Sequence, residues 1–156
     1  MAYSYYNPNP VGRYVEDCPV RALSKILDTD WETAKIILSN ASFKMADMEH
    51  SNEVLAAVLR QNGFYRDVIP NECPDCYTAE DFCNDHQKGK FVLFTSSHVI
   101  PVIDGVIYDT WDSGKEIPQF YWYKKEIDNN GNDTSGKSLY AANATNAKLS
   151  KGAAGR

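Results

Sequence analysis

Three observations predict an α+β fold. Apolar residues recur at helical spacing through most of residues 18–61, β-branched and aromatic runs fill residues 91–124, and an Asp-Gly pair separates two of those runs. Helices first and hairpin-linked strands afterwards imply N-terminal helices packed on a C-terminal antiparallel β-sheet.

The elements follow in order. Pro19 suits a first helical turn, and Val20, Leu23 and Leu27 follow at helical spacing until Asp28-Thr29-Asp30 interrupts them, so a helix is predicted over 18–27. Thr29 with Glu32 reads as a capping box for a second helix over 30–40, carrying Trp31, Ala34, Ile37 and Leu38. Ser51 or Asn52 can cap a third, with Val54, Leu55, Val58 and Leu59 on one face and Gly63 beyond its end. A short strand over 64–69 and a short helix from Thr78 to about His86 come next, the latter opened by a Thr78/Asp81 box. Strands are expected at 91–94, 98–103, 106–110 and 119–124. Asp104-Gly105 marks a two-residue hairpin turn.

Composition bounds the organisation. Residues 1–127 read as one domain, whereas 128–156 hold only Leu139, Tyr140 and Leu149 as large apolar residues and read as a flexible tail. A net charge of −5 with no Lys/Arg-rich stripe argues against nucleic acid as a partner. No apolar run approaches a membrane span and the opening residues lack a signal-peptide pattern, so a soluble, cytoplasmic protein without membrane attachment is expected. In that compartment Cys18, Cys73, Cys76 and Cys83 read as thiols, ligands or nucleophiles rather than disulfides.

Phosphate-loop, dinucleotide, zinc-protease, serine-elbow and calcium-loop motifs do not occur. The chemistry then falls to a cysteine at a helix start and to a histidine and an aspartate far downstream. Pro19 places Cys18 at the positive end of a helix, which favours thiolate, although Glu16 and Asp17 oppose it. A two-residue turn at Asp104-Gly105 makes opposed residue numbers sum to 209, so His98 faces Trp111 and Ile100 faces Asp109. His98 and Asp109 are then diagonal neighbours on one face, close enough for the carboxylate to orient the imidazole. Cys18, His98 and Asp109 form a candidate triad.

The segments NPNPVGRYVEDCPVRALSKIL, CPDCYTAEDFC and HVIPVIDGVIYDTWDSG resemble short phage and prophage proteins of the papain-like cysteine peptidase superfamily. The resemblance spans roughly residues 5–125. It implies a papain-like fold and cofactor-free hydrolysis of a peptide, isopeptide or related amide bond in a peptide or protein substrate. By resemblance Cys18 is the nucleophile, His98 the general base and Asp109 the orienting acid; a phage-encoded protein would act in the host cytoplasm. Such enzymes often carry a Gln six residues before the nucleophile to bind the oxyanion, but Gly12 stands there. Asn9 or Asn7 would have to fold back to serve instead. The missing Gln also fits a catalytically silent fold acting as a binding or inhibitory module, and transglutaminase-like acyl transfer uses the same nucleophile.

Cys73-x2-Cys76-x6-Cys83-x2-His86 has ligand types suited to zinc. Its short central spacer and a core position for Cys83 argue for no metal, with Cys76 in a turn and His86 exposed near a helix end. The strand Phe120-Tyr121-Trp122-Tyr123 alternates whatever its register, so two large rings face outward, as a substrate or partner surface or in a strand buried on both faces or covered by Tyr3, Tyr5 and Tyr6.

Overall fold

The computed structural model describes residues 3–69 and 76–132; Cys73 and residues 133–156, most of the expected tail, lie outside them. The described residues form four helices, α1 (Cys18–Leu27), α2 (Trp31–Met45), α3 (Asn52–Gln61) and α4 (Ala79–Asp85). Six strands, β1 (Tyr3–Tyr5), β2 (Phe64–Val68), β3 (Lys90–Phe94), β4 (Val99–Ile103), β5 (Val106–Asp109) and β6 (Phe120–Lys124), make one sheet in the order β1-β5-β4-β3-β6-β2.

The sheet is mixed, which corrects the expected antiparallel one. β1 runs parallel to β5, pairing Tyr3 with Ile107 and Tyr5 with Asp109, and all other neighbours are antiparallel. Three residues reading Tyr-Ser-Tyr have too little pattern to announce a strand, and only the distant β5 edge makes them one.

Both faces of the sheet are covered. Val92, Phe94, Val99 and Trp122 pack on one side with Leu23 and Ile26 of α1, Leu38 of α2 and Leu55 and Leu59 of α3. On the other side Phe91, Leu93, Ile100, Val102, Ile107 and Tyr121 pack with Phe82 and Cys83 of α4. Of the alternatives open for the aromatic strand, burial on both faces is the one found, because β6 lies inside the sheet and its Tyr121 and Trp122 are both buried, one in each core.

The helix ends show how local chemistry positions the elements. α1 begins at Cys18 with Pro19 second, where a missing N–H costs no intrahelical bond. α2 is capped by Asp30, whose side chain accepts from the Thr33 N–H at 2.7 Å, rather than by the expected Thr29. It also runs five residues past the expected end, because Phe43 is 87% exposed and the apolar period stops while the helix continues. Ser51 caps α3, and Thr78 with Asp81 forms the full capping box of α4.

The Asp104-Gly105 turn has the expected register, Ile103 opposite Val106 and Val102 opposite Ile107. Both turn residues have positive φ, 49° and 74°, as a type I′ turn requires. Gly105 has a second reason to be glycine, since a Cβ there would lie 3.0 Å from the Cys83 carbonyl oxygen.

Candidate functional site

His98 lies one residue before β4, at the end of the four-residue loop joining it to β3, rather than within the strand as expected. Thr95 builds this loop. Its Oγ1 accepts from the His98 N–H at 2.9 Å and from the Ser97 N–H at 3.3 Å, while its own N–H donates to the His98 carbonyl at 2.9 Å. A Thr closing its own turn in this way fixes the backbone that carries the imidazole.

The His98 Nε2–H donates to Asp109 Oδ2 at 2.6 Å. Cys18 lies close enough to the imidazole to act on its charge, and with Nε2 committed to Asp109, Nδ1 is the nitrogen left to face it. Burial opposes a charge on His98. The hydrogen bonds and charges of Asp109 and Cys18 outweigh it and push the imidazole up to about 9. Trp111 lies beside the ring, with centroids 5.4 Å apart.

Asp109 is 1% exposed and all its bonding capacity at the site is directed. Oδ2 also accepts from Ser113 Oγ at 2.9 Å, and Oδ1 accepts from the Thr110 N–H at 2.7 Å and from Arg21 Nη2 at 3.0 Å. Burial pushes its carboxyl up, but the His98 bond and charge, with the Ser113 and Thr110 donors, hold it below the ordinary carboxylate value.

Arg21 and Ser113 are the site residues that sequence reasoning missed. The buried Arg21 guanidinium also bonds Asp17, whose Oδ2 accepts from Trp31 Nε1 at 2.7 Å. Asp17 is therefore paired with a buried cation where it stands beside Cys18. Its side chain makes no cap bond, and the Cys18 N–H at the first position of α1 has no intrahelical acceptor. The four-residue spacing of Asp17 and Arg21 was a readable signal for this pair.

Cys18, Arg21 and His98 line one open cleft of about 850 Å³, together with Tyr14, His50, Asn52, Ser97 and Trp111. Asn9 is not among its lining residues. Its Oδ1 accepts from the Val11 and Arg13 N–H groups, both at 3.1 Å, so it folds its own loop instead of reaching Cys18. Asn7 does likewise, accepting from the Asn9 N–H and donating to the Arg13 carbonyl.

Comparison with protein families, curated proteins and solved structures gave no match. The site is therefore read from its own geometry.

The other cysteines behave differently. Cys83 is fully buried in the α4 core, and burial pushes its thiol up to about 12. His86, expected at the surface, is 6% exposed and stacks on Phe82 at 3.9 Å, with its Nδ1–H donating to the Phe82 carbonyl at 2.9 Å. Burial holds it below the ordinary histidine value despite that bond and Asp85. Among the described residues no three His, Cys, Asp or Glu groups are placed to hold a metal ion, and Cys73 lies outside them. No helix among the described residues is long and apolar enough to cross a membrane.

These shifts set the pH dependence of stability. His98, raised above the ordinary value of 6.5, contributes stability that is complete below 6.5 and lost as pH rises toward about 9. His86 acts in the other direction, because the unfolded chain takes up a proton below 6.5 that the buried ring resists. Asp109 loses its contribution only at more acid pH, below the ordinary 3.8. The melting temperature is expected to peak near pH 6.5 and fall on both sides. A His98→Gln variant followed by circular dichroism should lose the decline between 6.5 and 9.

Proposed function

We propose that this protein is a cysteine hydrolase of papain-like type that cleaves a peptide, isopeptide or related amide bond. The observation that carries the reading is that Cys18 and His98 line one open cleft, with the buried Asp109 carboxylate bonded to the imidazole. A histidine that keeps its proton to about pH 9 is the counter-ion a thiolate needs.

In the proposed reaction the Cys18 proton resides on His98 Nδ1 before substrate arrives, and the thiolate of that ion pair adds to the substrate carbonyl carbon. The resulting oxyanion can take the free Cys18 N–H at the start of α1. His98 then protonates the departing amine, leaving a thioester on Cys18. Water, deprotonated by His98, adds to that thioester, and the acid leaves as the thiol is regenerated. Asp109 holds the imidazole in the tautomer these transfers need.

The test is reaction of the full chain with a peptidyl electrophile, followed by mass spectrometry of the Cys18 peptide and by a peptide-library cleavage assay. Stoichiometric labelling of Cys18 at neutral pH, lost in Cys18→Ala and His98→Ala, is expected, together with cleavage. One observation favours a second reading, a binding module that has lost turnover: neither Asn7 nor Asn9 reaches the cleft to serve the oxyanion. Labelling without cleavage of any library member would select that reading, and no preferential labelling of Cys18 would reject both uses of the triad.

A further inference from the structure

Arg21 occupies an unusual position for a buried charge. It sits one helical turn after Cys18 on α1, is 6% exposed, and bonds two carboxylates from different parts of the fold. Asp17 immediately precedes the nucleophile, and Asp109 belongs to β5 and holds the imidazole. The Arg21 Nη2 contact falls on Asp109 Oδ1 at 3.0 Å, while His98 Nε2 takes Oδ2 of the same carboxylate at 2.6 Å. Guanidinium and imidazole therefore share one negative charge.

We propose that Arg21 is a positioning residue that sets the pH range in which Cys18 and His98 carry opposite charges. It does so by dividing its positive charge between Asp17, beside the thiol, and Asp109, beside the imidazole. This deepens the hydrolase reading and rests on its pairing of Cys18 with His98. The same ion pairs fix the Cys18 end of α1 against β5, which keeps thiol and imidazole in register.

The sign follows from the charges around the pair. From α1 and its cap come Cys18, Arg21 and Asp17, from β5 comes Asp109, and from β1 comes Tyr3, whose hydroxyl donates to the Asp109 carbonyl at 3.4 Å. Glu16 and His50 stand on the cleft wall. Arg21 is the fixed positive charge among them. Without it, Asp109 acts undivided on His98, so the imidazolium keeps its proton to higher pH. Asp17 is then unbalanced beside Cys18, so the thiolate forms only at higher pH. Both limits of the charged pair move in the alkaline direction.

Iodoacetamide reports this directly, because it alkylates thiolate and needs no substrate. Cys18 alkylation in the full-length protein is measured by mass spectrometry between pH 4 and 10, and the midpoint of its rise is compared between variants. Arg21→Gln should move that midpoint up by about one pH unit or more. Arg21→Lys, which keeps the charge, should stay near wild type, and adding Asp17→Asn to Arg21→Gln should move the midpoint part of the way back. A merely structural role would lower amplitude or stability and leave the midpoint in place, and that result in folded Arg21→Gln overturns the proposal. Should Arg21→Gln not fold, Asp17→Asn alone decides: its midpoint must fall, and an unchanged or raised value overturns the proposal. A wild-type midpoint near that of a free thiol would count against the hydrolase reading, while the difference between variants would still decide the role of Arg21.

Discussion

Asp109→Asn is expected to abolish most of the proposed amide hydrolysis, by about 10⁴-fold, in a protein that still folds. The native carboxylate accepts four hydrogen bonds, from His98, Ser113, Thr110 and Arg21. An asparagine can keep its oxygen toward Arg21 and the Thr110 N–H, which turns its NH₂ toward Ser113 and His98. An NH₂ facing Nε2 demands an unprotonated Nε2, so the proton moves to Nδ1, the atom that must accept it from Cys18. His98 is then held in the wrong tautomer for the proposed reaction. Steady-state cleavage, or the rate of Cys18 acylation, measures the loss. Asp109→Ala removes every acceptor and leaves Arg21 with Asp17 as its partner; stability should fall by about 3–5 kcal/mol in urea unfolding. A stable, fully active Asp109→Asn protein would remove Asp109 from the reaction.

Trp122→Ala is expected to produce the largest loss of stability of any single truncation, about 3–5 kcal/mol. Trp122 is 2% exposed, lies on a strand hydrogen-bonded to neighbours on both sides, and faces the core beneath α1 to α3. The Arg60 guanidinium lies 5.1 Å from its ring centroid, so truncation also removes a cation–π contact. Against a typical total of about 5–15 kcal/mol, this leaves a marginal protein. Trp122→Phe should cost far less. The indole N–H is buried with no acceptor among the described residues, and phenylalanine removes that unsatisfied donor while filling most of the space. Chemical denaturation of both variants checks the order; equal losses would mean the ring volume is not what the site requires.

The parts of the fold readable in the sequence are those decided by neighbours in the chain. The Cys18 helix start, the Ser51 cap and the Thr78/Asp81 box each rest on a few adjacent residues. The His98–Asp109 pairing was readable for the same reason, because a two-residue turn at Asp104-Gly105 carries register information along both strands. What escaped depends on distant partners. β1 exists only because β5 offers an edge, and Arg21 bonds Asp109 across 88 residues of sequence. His86 was misplaced because a histidine near a helix end suits the dipole at the surface, whereas Phe82, Phe91 and Tyr121 bury it here. The approach of Cys18 to His98 had no local signature, since it depends on how α1 lies against the sheet.

The parallel pairing of β1 with β5 has a consequence for the order in which the molecule comes into being. Tyr3 and Asp109 meet across 106 residues, so β1 must wait for β5 before it has an edge to join. Closing so long a loop has an entropic cost that no early contact offsets, and folds with many such contacts are slow. Helices α1 to α3 can form as the chain leaves the ribosome, but Cys18 then has neither His98 nor Asp109 beside it. Cys18 thus stands alone throughout translation of the helical half. It becomes part of a site only when the hairpin carrying Asp109 has closed.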